Sequence, residues 1–177
     1  MNRQEFVVQQ VGAQDRPQVC DFVVHQWGAE QMVVHGESFC LPDFPGLMVR
    51  EDGQITALLI YRRGARVWEI LSLDSLRPNR GAATSLILAL EQKARAEGCD
   101  TLTVTTTNDN LHALRFYQKR GFDLMALHRF AVDEARKQKP QIPLSGMDGI
   151  PIHHEIELVK SLDQKKEVTS GDICDQG

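Results

Sequence analysis

"WEILSLDSLRPNRGAATSLI", residues 68–87, passes from an apolar run through a proline-bearing loop into small residues and a leucine/isoleucine pair. The change of period inside it organises the chain. Residues up to about Ser75 read as a strand. From about Ala82, apolar side chains recur at Ala83, Leu86, Ile87, Leu90 and Ala94, and Gly98 follows in the place of a left-handed C-terminal cap. A strand–loop–helix joint leaves the first helical N–H groups unpaired, with the positive end of the helix dipole behind them, so it suits an anion such as phosphate. The stretch matches neither G-x-x-x-x-G-K-[ST] nor G-x-G-x-x-G, which argues against a nucleotide P-loop and a dinucleotide site.

Upstream, "GLMVREDGQITALLIYRRGARVWEILSLDSL", residues 46–76, alternates apolar runs with "EDGQ" and "RRGA" and reads as three antiparallel strands, Asp52-Gly53 marking a hairpin. Before it come a short strand near Phe6 to Val11 and a helix capped by Asp15. That helix carries Pro17 in its first turn and a stripe of Val19, Phe22, Val23 and Gln26/Trp27. Downstream, the β-branched "TLTVTT" reads as a strand. Asn108, Asp109 and Asn110 are N-cap candidates for a helix reaching Arg120 and closed by Gly121. "FDLMALHRFAV" and "HHEIELVK" read as closing strands. The connection between them, Asp133 to Ile152, is long enough to suggest a substrate wall. One domain over 1–160 and a flexible tail over 161–177 are expected.

Twenty Lys/Arg against 24 Asp/Glu give a net charge of -4, and no block of like charges offers a track for nucleic acid. No apolar stretch approaches the length of a membrane span and the N-terminus lacks a signal-like segment, so a cytoplasmic protein without a membrane partner is expected. Cys20, Cys40, Cys99 and Cys174 lie far apart without a C-x-x-C pair, so neither a metal cluster nor a disulfide framework is expected. His153 and His154, adjacent on a strand, point to opposite faces and do not form a metal pair.

Glu69 intrudes on a strand row shared by period two with Val67, Leu71 and Leu73, where burial would raise its pKa into the range of a general base. The competing readings pair it with an arginine, or have the strand bulged and the carboxylate exposed. Tyr117 is a candidate acid, or a packed helix residue.

The segment Asn110-x-x-Ala113-x-x-Phe116-Tyr117-x-x-x-Gly121-Phe122, with "WEILSLDSL" and "RGAATSLI" upstream, resembles the GNAT superfamily of N-acetyltransferases over roughly residues 5 to 160. The resemblance implies an α+β fold with a mixed, mostly antiparallel sheet, splayed between its fourth and fifth strands and flanked by helices. It implies acetyl-CoA in the split, with the backbone at Leu73 and Ser75 pairing with the pantetheine arm and Asn110 reaching that arm. The family's phosphate loop, [Q/R]-x-x-G-x-[G/A], would here be Arg80, Gly81, Ala82, Ala83, Thr84 and Ser85; the arginine matches and both small-residue positions deviate. The implied reaction is direct attack by an amine of a small molecule or peptide on the thioester, with Glu69 as base and Tyr117 as acid. A homodimer is an open expectation. The alternative is an acyl-CoA-binding sensor that has lost turnover.

Overall fold

In the computed structural model, which describes residues 6–163, the chain forms β1 (Val8–Gln10), α1 (Arg16–Trp27), β2 (Gln31–Val34), β3 (Glu37–Cys40), β4 (Gly46–Glu51), β5 (Gln54–Arg63) and β6 (Val67–Ser75). There follow α2 (Ala82–Ala96), β7 (Thr101–Thr107), α3 (Leu111–Gln118), β8 (Asp123–His128), α4 (Ala131–Gln138) and β9 (Glu155–Ser161). Seven strands make one sheet in the order β1-β4-β5-β6-β7-β9-β8, antiparallel except for β6 with β7, while β2 and β3 form a separate hairpin. The fourth and fifth strands across the sheet are therefore the parallel pair.

Each face of the sheet has its own core. On one, Leu86, Ile87, Leu90 and Ala94 of α2 and Tyr117 of α3 pack on Leu59, Trp68, Ile70, Leu102 and Val104. On the other, Val19, Phe22 and Val23 of α1 pack on Met48, Leu58, Ile60 and Leu71. The helical stripes read from the sequence bury at Val19, Phe22 and Val23 of α1 and at Leu86, Ile87, Leu90 and Ala94 of α2, while Gln26 and Trp27 at the end of the α1 stripe are exposed and Ala83 is half-buried. Asp15 stands at the N-cap of α1 without making a side-chain cap; its carboxylate instead accepts from Gly12 N–H at 2.7 Å and pairs with Arg50 at 2.8 Å.

Three elements differ from expectation. The β2–β3 hairpin turns at His35 and Gly36, both at positive φ. The connection taken as a loop from Asp133 begins inside α4 and is fastened by Arg136, whose guanidinium donates to the carbonyls of Ile142, Pro143 and Ile152. β9 runs on through Ser161, and Leu162 is 2% exposed in the core. Most of the tail expected from residue 161 lies outside the described residues, as does Cys174. Cys20, Cys40 and Cys99 are free thiols, and among the described residues no helix is long and apolar enough to cross a membrane.

Leu86 has 0% exposure between α2 and the sheet. Leu86→Ala should cost about 2–5 kcal/mol through lost burial and the cavity left behind. Urea denaturation should show a lower midpoint at unchanged slope; an unchanged midpoint would contradict this packing.

Candidate active site

The parallel pairing of β6 with β7 starts at Val67↔Thr101 and stops at Ile70↔Val104. Beyond it β6 still pairs with β5 as far as Ala57↔Ser75, and β7 still pairs with β9 as far as Thr107↔Glu155, so the two strands part without fraying. A β-bulge lies at the fork: Ile60 faces Ser72 and Tyr61 faces Ile70, leaving Leu71 as the extra residue. Bulges bend a strand and shift its side-chain alternation. Here Ile70 and Leu73 pack on the α2 side and Leu71 on the α1 side, while Ser72 borders the opening between the strands. Leu73 and Ser75 lie on the freed edge of β6, which presents unpaired backbone groups to the split.

The edge leads to the start of α2. Gly81, at φ 103°, is the N-cap residue, and no side chain caps the helix. Ser85 N–H donates to Gly81 C=O at 3.0 Å, so Ser85 is already inside the helical ladder and its amide is not available to an anion. The free amides are those of Ala82, Ala83 and Thr84. Set on Gly81, the family's loop pattern would put its glycine at Gly81, its small residue at Ala83 and Pro78 at the Gln/Arg position. A cavity of about 710 Å³ lies over this turn, and of the residues expected to bind cofactor Leu73, Ser75, Arg80, Gly81, Ala82, Ala83, Thr84 and Asn110 border it. Arg120, which the sequence reading passed over, also borders it; its guanidinium stacks 3.5 Å from the Phe116 ring and donates to Thr84 Oγ1. Partial burial lowers its pKa.

A second cavity of about 230 Å³ occupies the fork on the α1 side. Leu73, Asp74, Asn110, Ala113 and Tyr117 border both cavities and so form the junction. Asn110 Oδ1 accepts from Ala113 N–H at 3.0 Å, the N-cap expected of it. Tyr117 is 6% exposed between the edges of Phe116 and Phe122. Burial, with the charge of Asp74 adding to it, pushes its phenol above the ordinary value. Asp74 accepts from the Trp27 indole N–H at 2.9 Å; burial raises its carboxyl to about 6 against the opposing effect of that bond. Asp74 had a sequence signal, an acid closing an apolar strand, but the bulge hid which face it would take.

Glu69 borders neither cavity. Its carboxylate pairs with Arg62 at 2.7 Å, and Arg62 also reaches Glu37 at 3.0 Å. The apolar row expected around it is broken, because Val67 is exposed and Leu73 has crossed to the other face. His35, given no role from the sequence, bonds Glu155 through Nδ1 at 3.1 Å and Thr105 through Nε2 at 2.9 Å. It stands beside His128, which bonds Glu157 at 3.0 Å, and ligand-type atoms of His35, His128 and Glu157 lie within 4.8 Å of one another. His153 and His154 have separate partners, Asp133 and the Phe130 N–H. From the segment Asp133 to Ile152, Met147 borders the larger cavity, while Gln138 and Lys139 tie to the β2–β3 hairpin at Gly36 and Gln31.

The family model of the GNAT acetyltransferases matches residues 14–122. Two Bacillus subtilis (strain 168) proteins named as uncharacterized are similar along most of the chain. YxbD is 41% identical over 145 residues, 81% of this chain and 91% of its own length, and YdhI is 38% identical over 144 residues, 81% and 90%. A GNAT family acetyltransferase from Elizabethkingia anophelis, solved with acetyl-CoA bound, has the same fold at a TM-score of 0.62 and 15% identity, covering 88% of this chain and 97% of that one. With the forked parallel pair and the uncapped α2 turn in place, the match over residues 14–122 and these relatives make the chain a member of the GNAT acetyltransferase family.

Proposed function

We propose that the chain transfers the acetyl group of acetyl-CoA to a primary amine by direct attack. The supporting observation is that the two cavities share Leu73, Asp74, Asn110, Ala113 and Tyr117 as lining, so the titratable pair Asp74 and Tyr117 lies between the anion cradle of the larger cavity and the fork. The pyrophosphate takes the free amides of Ala82, Ala83 and Thr84 with Arg80 beside them, and the pantetheine arm adds to the β6 edge at Leu73 and Ser75. The neutral amine attacks the thioester carbon and the C–S bond breaks. A backbone N–H near Leu73 polarises the carbonyl. Asp74 takes the amine proton, in place of Glu69, which Arg62 already occupies. Tyr117 stays protonated at neutral pH and donates to the departing sulfur.

Two experiments test this assignment. Turnover should follow the ionised fraction of Asp74, with kcat/KM falling below about pH 6 and that limb absent in Asp74→Asn, which should lose about a hundredfold or more in kcat. Stability should move the opposite way. A carboxyl whose pKa is higher in the folded state favours folding when protonated, so stability falls as pH rises from the ordinary carboxylate range through about 6. Asp74→Asn, whose side-chain oxygen still accepts from Trp27, should then melt no lower than wild type at pH 8. Persistence of the limb in the variant would move the base elsewhere. Tyr117→Phe should lower kcat at least about tenfold with little change in CoA affinity. Normal turnover with a lower melting temperature would make Tyr117 a packing residue. An acyl-CoA sensor would bind CoA and release no thiol above the buffer rate with any amine.

A further inference from the structure

The smaller cavity carries features that cofactor binding does not use. Its lining holds two carboxyl groups, Asp74 and Glu155, and neither a lysine nor an arginine. Glu155 is 4% exposed, and its contacts with His35, from the backbone N–H at 3.2 Å and from Nδ1 at 3.1 Å, both fall on Oε2. His35 is held in turn by Thr105 and packs against His128, so the carboxylate is fixed in place. Ser72, 5% exposed at the bulge, has a hydroxyl with no hydrogen-bond partner among the described residues. A buried polar atom of that kind destabilises the fold unless something completes it. Met32, Val33 and Val34 give the cavity an apolar wall and Thr105, Thr106, Thr107 and Asn110 a polar one, around a volume of about 230 Å³.

We propose that this cavity is the acceptor site and that it takes a compact aliphatic diamine, a proposal that rests on the transferase reading above. The reacting nitrogen sits at Asp74, which takes the proton released on attack. The second nitrogen, as an ammonium, lies against Glu155, and the hydrocarbon between them covers the valine and methionine wall. Charge sets the choice. The reacting nitrogen at Asp74 must be neutral to attack, so Glu155 favours an acceptor with a second, charged nitrogen over a monoamine and repels an amino acid's carboxylate.

Thiol release from acetyl-CoA is measured with putrescine, n-butylamine and γ-aminobutyrate, together with calorimetric CoA binding on the same samples. Wild-type kcat/KM should be at least about tenfold higher for putrescine than for n-butylamine, with γ-aminobutyrate below both. In Glu155→Gln the putrescine to butylamine ratio should fall towards one. Equal use of putrescine and n-butylamine by wild type overturns the proposal whatever the variants do, as does a ratio unchanged in Glu155→Gln. CoA binding without thiol release from any of the three overturns the acceptor assignment; release with another primary amine on the same sample then keeps the transferase reading, and no release with any amine overturns that reading as well. Failure to bind CoA overturns the transferase reading itself.

Discussion

The end of the β6–β7 pairing at Ile70↔Val104 is the constraint on which the site depends. A parallel pair that stays zipped leaves no backbone for a ligand, and one that frays loses its neighbours. Here both strands keep their outer partners, β5 and β9, so the fork is rigid on each side. The extra residue at Leu71 lets one strand serve two purposes: before it, β6 is a paired core strand, and after it, an open edge. The bulge also sets the side chains, putting Leu71 under α1, Leu73 under α2 and Ser72 at the fork.

Electrostatics follow from that geometry. Free amides at the start of α2 and the guanidiniums of Arg80 and Arg120 make one cavity positive, while Glu155 lines the other and Asp74 stands at their junction. Anionic cofactor and cationic acceptor would therefore approach from opposite sides of the sheet and meet at Asp74 and Tyr117. The carboxyl of Asp74 is raised because it is buried, and burial comes from its place between Trp27 and the fork.

Much of the architecture was legible in the sequence. The helical stripes of α1 and α2, the Asp52-Gly53 hairpin and the Asn110 cap are local signals, and the structure keeps each of them. Helix α4 was hidden because it is short, buries only Val132 and Ala135, and is entered through Phe130 at φ 59°, a left-handed turn without the glycine that usually signals one. The bulge was hidden for a different reason. A period-two reading places Glu69 and Leu73 on one face, and the slip at Leu71 separates them. Asp74, Ser72 and Glu155 line one cavity only through tertiary packing, so no spacing in the sequence joins them.

Amide hydrogen exchange across the fork, with and without CoA, tests the central claim most directly. An added strand on the free edge of β6 should slow exchange within residues 71–75, and an anion on the α2 turn should slow it at residues 82–84, while the β8–β9 pair stays unchanged. CoA binding that leaves both segments exchanging at their free rates would contradict the account, because the cofactor would then lie outside the fork.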